Sequence, residues 1–162
     1  MKSSTKELRT AFWRRQAIWE AMGKAQYPDK RPLLTLEQFF LHSANEANLW
    51  YNISPYPEEI NQYEFHCSVR ARPEVWDVLI SITQIDEEPN HDPDSFSKKG
   101  WFEWPNSDHT LIITSADENT IRSWFPSGVQ PDEIDFTDRT GSDWNVPSFI
   151  PGEYKQAWLW YD

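Results

Sequence analysis

Residues 75–85 read Val-Trp-Asp-Val-Leu-Ile-Ser-Ile-Thr-Gln-Ile, with β-branched and apolar side chains at successive positions. A strand of that kind buries both of its faces. It therefore needs a partner strand along each edge and a covering layer above and below. This is the central strand of the expected fold, and the rest of the chain must supply its neighbours and its cover.

Strand neighbours are read from period-2 alternation. Tyr63, Phe65, Cys67, Val69 and Ala71 alternate with Glu64, His66, Ser68, Arg70 and Arg72. The pattern predicts a strand over 63–71, joined to the central strand as a hairpin through Arg72-Pro73-Glu74. Further strands are expected at 101–104, 110–115 and 154–161, with a short one near Ile134–Phe136. In the last long strand Trp158 and Trp160 are expected to face one way, and Leu159 and Tyr161 the other.

Helical spacing marks three segments. Leu8, Ala11, Phe12, Ile18, Trp19 and Met22 form one stripe over 5–25, with Gly23 and Tyr27-Pro28 beyond it as stop signals. Thr35 and Gln38 have capping-box spacing and predict a helix over 36–49. Ser115-Ala116-Asp117-Glu118 predicts a short helix over 117–125. Residues 86–99 are a polar loop, and 129–153 are broken repeatedly by Pro and Gly. The fold class is α+β: two N-terminal helices packed on an antiparallel sheet of about five strands. At 162 residues the chain is expected to be a single domain, with 1–32 a basic helical segment and 33–162 an acidic body.

That division rests on charge. Residues 1–32 carry eight basic and three acidic side chains; the other 130 carry seven and 23. A body this acidic repels nucleic-acid phosphate and attracts basic partners. No apolar run reaches the ~18 residues of a membrane span, and the first residues lack the apolar stretch of a secretory signal. With a single cysteine, Cys67, there is no disulfide framework. The cytoplasm is the expected compartment.

No motif fixes a reaction. There is no Gly-x-Ser-x-Gly elbow, and no Gly-x-Gly-x-x-Gly or Walker sequence. On the expected strand, Cys67 and the adjacent His66 point to opposite faces, so they form no dyad. Asn90-His91-Asp92-Pro93-Asp94 lacks the Gly and terminal Glu of a calcium loop, and no two of the four histidines stand three or four apart. No metal and no cofactor are expected.

Two features bear on binding. The first is acid concentrated in loops: Asp86, Glu87, Glu88, Asp92 and Asp94 in one, and Asp132, Glu133, Asp135, Asp138 and Asp143 in another. The second is ten Trp residues, more than one core of this size needs. Trp144 sits among the late acids. Carboxylates steer a basic partner and aromatic side chains anchor it. The expected function is therefore non-enzymatic: sequestration or inhibition of a basic protein, in its sharpest form a toxin-neutralising immunity protein. One alternative is a carbohydrate-active or carbohydrate-binding protein. In it Glu103, flanked by aromatics, would serve as an acid with raised pKa, and Trp101, Trp158 and Trp160 would stack on sugar. Another is a structural or assembly component, in which the basic first helix docks on an acidic neighbouring copy.

Overall fold

The computed structural model describes residues 31, 33–41, 47–50, 52–82, 107–147 and 150–162. Chain order is β1 (Leu33–Thr35), α1 (Leu36–Phe40), α2 (Gln62–Arg70), β2 (Val75–Ser81), β3 (His109–Thr114), α3 (Glu118–Ser123), a 3-10 turn (Ser127–Val129), β4 (Glu133–Asp135) and β5 (Lys155–Trp160). The strands form one five-stranded sheet in the order β1-β2-β3-β5-β4. Every neighbouring pair is antiparallel. The fold is α+β.

The doubly apolar segment does run inside the sheet, between β1 and β3. Val78 and Ile80 join Leu34, Ile112, Ala157 and Leu159 beneath α1, α2 and α3, which contribute Leu36, Phe39, Val69 and Ile121. Leu79 points the other way and joins Leu111, Ile113 and Trp158. No described helix covers that second face. The irregular segment after β4 does, packing Trp144, Val146, Ile150 and Tyr154 against it. Sheet faces on both sides are thus kept from water, as an apolar inner strand requires. Gly141, at φ +75, and Asn145, at φ 52, supply the left-handed turns of the covering segment.

Several expectations hold with adjusted ends. The strand at 110–115 is β3 and the one at 154–161 is β5. The short strand near 134–136 is β4, and the helix at 117–125 is α3, with the Asp117 side chain accepting from Thr120 N. Leu159 and Tyr161 do face one way and Trp158 the other. The Thr35 capping box forms: Thr35 Oγ1 accepts from Gln38 N at 3.1 Å, and Gln38 Oε1 accepts from Thr35 N at 2.9 Å.

Three expectations are corrected. Residues 63–71 are not a strand but α2 and its cap. Asn61 Oδ1 accepts from Glu64 N at 3.0 Å, and Gln62, His66 and Val69 are the buried positions, a spacing of four then three that belongs to a helix. The hairpin to β2 is therefore a helix-to-strand connection. The helix expected over 36–49 ends at Phe40, because Leu41 is extended. Leu33–Thr35, where no strand is expected, forms edge strand β1 and pairs with Leu79–Ser81. The expected helix at 5–25 and strand at 101–104 lie outside the described residues.

Candidate functional site

The late acidic segment begins at the outer edge of the sheet. β4 is an edge strand of three residues; Asp132 just before it, Glu133 on it, and Asp138 and Asp143 on the segment that follows are all exposed. Two of the four side chains are held by hydrogen bonds. Asp132 Oδ2 accepts from Asp162 N at 2.8 Å. Asp138 Oδ1 accepts from Thr140 N and from Gln156 Nε2, both at 2.8 Å. Asp135 is half-buried. It accepts from Thr137 N and Oγ1 and from the Arg139 guanidinium, at 2.9, 2.7 and 3.0 Å. Hydrogen bonds from Thr137, then the Arg139 cation, hold its carboxyl below the ordinary carboxylate range. Hydrogen bonds from Thr140 do the same for Asp138. Among the described residues, Asp135–Arg139 is the one ion pair in this stretch. Among the described residues, Asp132, Glu133, Asp138 and Asp143 face solvent and make no ion pair.

Trp144 is not a free anchor. The guanidinium carbons of Arg31 and Arg139 lie over its ring, 4.4 and 4.5 Å from the centroid, and Trp158 and His109 abut it at 5.0 and 5.2 Å. The ring is half-buried among its own molecule's side chains, where cation–π and ring contacts fasten the covering segment to the sheet. Arg31 N also donates to Asp143 O, so the entry to β1 is tied to the same place.

Of the sugar-stacking set, Trp158 and Trp160 are described. Trp158 is 1% exposed, lies beneath Trp144 and Arg139, and donates from Nε1 to Gln156 Oε1 at 3.2 Å. Its ring is core and not a platform for a ligand. Trp160 is half-buried and stacks on His109 at 5.9 Å. Trp101 and Glu103 lie outside the described residues, as do Asp86, Glu87, Glu88, Asp92 and Asp94.

Among the described residues, Ser81, His109, Cys67 and His66 are engaged or enclosed. His109 Nδ1 meets Asp108 Oδ1 at 2.5 Å, and Ser81 is its register partner on β2. This supplies a hydroxyl, an imidazole and a carboxylate, but Ser81 is fully buried and its Oγ has no hydrogen-bond partner. An attacking oxygen needs both a base and a path to substrate. Cys67, placed by sequence on a strand face opposite His66, is instead half-buried on α2 beside Arg70 Nη2, at 3.7 Å. Buried His66 sits between Phe40 and Trp50, and burial lowers its pKa to about 4. Among the described residues no group of three or more His, Cys, Asp and Glu side chains is placed to hold a metal ion, and no helix is long and apolar enough to cross a membrane.

Sequence reasoning missed a second feature, on the helical side of the sheet. Phe40, Leu41, Tyr56, Ile60, Tyr63 and Glu64 line a groove of about 380 Å³. Leu41 and Tyr56 are 39% and 45% exposed; Glu64 of the lining is exposed too, as are Glu58 and Glu59 on the segment between Tyr56 and Ile60. A signal for it exists in the sequence: between Arg31 and Arg70 there is no Lys or Arg, while Glu occurs at 37, 46, 58, 59 and 64.

Residues 13–153 match the family described as "Uncharacterized protein YfbO family". The chain is 35% identical over 112 residues to "Uncharacterized protein YfbO" of Escherichia coli (strain K12), which covers 68% of this chain and 70% of that protein. No solved structure matches. The chain belongs to the YfbO family.

Proposed function

We propose that this YfbO-family protein is a non-enzymatic binding module that sequesters or inhibits a basic protein partner in the cytoplasm, in its sharpest form as an immunity protein neutralises a toxin. The observation that carries the reading is the set of exposed carboxyl side chains at Asp132, Glu133, Asp138 and Asp143, at an edge of the sheet where Asp135–Arg139 is the one ion pair among the described residues. A cluster of exposed carboxylates raises the local concentration of a basic protein and speeds its encounter. Hydrogen bonds that hold the Asp132 and Asp138 side chains lower the ordering cost on binding. The acids at 86–94 extend the same chemistry in the sequence.

The test is capture from host lysate with elution by a salt gradient, followed by association kinetics with the purified partner. The expected result is one basic protein released by moderate salt. Its association rate falls steeply when Asp132, Glu133, Asp138 and Asp143 are all changed to Lys. Recovery of no basic protein, or an association rate indifferent to the four changes, removes the reading.

A further inference from the structure

The groove between the end of α1 and the start of α2 belongs to neither the covered sheet face nor the β4 edge. It lies where Phe40 and Leu41 leave α1 and residues 56–64 lead into α2. Its wall is rigid. Gln62 is buried and donates from Nε2 to Tyr56 Oη at 2.9 Å and to Asn48 Oδ1 at 2.8 Å, while its Oε1 accepts from Leu49 N at 2.8 Å. One glutamine thus fixes the Tyr56 ring at the lip. Tyr63 Oη reaches Glu37 Oε1 at 3.4 Å on the other side.

Large apolar side chains exposed beside a preformed groove mark a place where another molecule buries them. Two of the three large hydrophobics exposed among the described residues, Leu41 and Tyr56, are at this groove. The rim decides what kind of molecule. Glu58, Glu59 and Glu64 are exposed, and no Lys or Arg occurs from residue 32 to residue 69. The cation closest in sequence, Arg70, is already held by Glu37. An apolar floor lined by exposed Glu64, with Glu58 and Glu59 exposed on the segment that leads into α2, is complementary to an apolar side chain flanked by Lys or Arg.

We infer that this groove takes an apolar side chain presented by a Lys/Arg-rich segment of a partner protein. The inference rests on the reading that the protein binds a basic partner, and it adds a second contact surface, distinct from the carboxylates of 132–143.

The test uses the full chain, labelled for NMR, and three synthetic probes. These are a short Lys/Arg peptide with one central Leu, the same peptide with central Ser, and a Glu peptide with central Leu. The expected result is shift changes at Leu41, Ile60 and Tyr63 with the first peptide, and affinity about tenfold weaker for the Ser peptide. Leu41→Ser and the pair Glu58→Lys and Glu59→Lys each weaken the Leu peptide by a similar factor. The pair Glu133→Lys and Asp138→Lys leaves Leu41, Ile60 and Tyr63 the residues that shift at saturating Leu peptide, whatever its effect on affinity.

Shifts confined to 132–143 overturn the groove and leave the proposed function standing. Equal binding of the Glu peptide overturns the basic partner and with it the proposed function. Contacts between residues 5–25 and Leu41 in the free protein, or a dimer whose interface includes Leu41, assign the groove to the chain's own basic segment or to a second copy and overturn the inference.

Discussion

Trp144 on the covering segment and Trp158 on β5 stand with ring centroids 5.0 Å apart, and Arg139 lies over both rings, at 4.5 and 4.7 Å. One cation and two indoles therefore join an irregular segment to the middle of the sheet. Trp144→Ala removes the largest contact of that junction and leaves Trp158 with water access. The expected loss is about 3 kcal/mol of unfolding free energy in urea, toward the lower end of core Trp truncations because the ring is only half-buried. Trp144→Phe retains an aromatic face for the two guanidiniums and is expected to lose about half as much. Equal stability for the alanine variant and the parent removes the fastening role.

Burial of His66 predicts a specific acid weakness. Its Nδ1 meets Gln62 O at 2.6 Å, its Nε2 has no partner, and burial lowers its pKa from 6.5 to about 4. The unfolded chain therefore takes up this proton before the folded one does. Stability is intact above the unfolded pKa and is lost as pH falls from about 6.5 to about 4. From about pH 7 to about pH 5 the loss attributable to this group is about 2 kcal/mol. His66→Phe is expected to flatten that part of the urea-stability profile, whatever its effect at neutral pH. The carboxylates with lowered pKa values act in a more acidic window and do not mimic it. A profile with the same slope in the variant assigns the acid sensitivity elsewhere.

Legibility in the sequence followed the strength of the local signal. The apolar run at 75–85 announced an inner strand because only a covered strand tolerates apolar side chains on both faces. Thr35–Gln38 and Asp117 announced helix starts because capping depends on a few adjacent residues. Residues 63–71 misled because Tyr63, Phe65, Cys67 and Val69 do alternate. The helix instead buries Gln62 and His66, whose polarity hid the helical stripe. Asn61 followed three positions later by Glu64 was the available clue. At the candidate surfaces, composition located the late acids. It did not reveal that Trp144 is folded back on its own sheet, since a Trp in a loop carries no local mark of what it touches. The groove at Leu41 and Tyr56 joins residues that neither periodicity nor a motif links.

Glu37 and Arg70 test how much electrostatics contributes between α1 and α2. Arg70 donates through Nη1 to Oε2 at 3.0 Å and through Nη2 to Oε1 at 2.5 Å, and that hydrogen bonding holds the Glu37 pKa at about 2. The side chains are 42% and 32% exposed, so water and salt screen most of the gain. A double-mutant cycle with Glu37→Gln and Arg70→Met is expected to give a coupling of about 0.5–1 kcal/mol at neutral pH. It falls further at about 1 M salt. Because the folded pKa is depressed, the coupling is present above the ordinary Glu value and is lost as pH drops toward about 2. A coupling several times larger, or one indifferent to salt, contradicts a half-exposed pair.

Asn61 separates the helix from the strand expected of the same residues. As N-cap of α2 its side chain satisfies Glu64 N, a donor that the helix cannot satisfy from within. Asn61→Ala is expected to cost about 1 kcal/mol in urea unfolding. Asn61→Asp keeps the acceptor and adds a negative charge at the positive end of the helix, so its stability should match or slightly exceed the parent's. In a strand running from residue 63, position 61 would be a connecting residue, and neither change would matter by more than a few tenths of a kcal/mol. Far-UV circular dichroism with the two variants therefore tests the assignment itself. An alanine variant as stable as the parent would return residues 63–71 to the strand their alternation suggests.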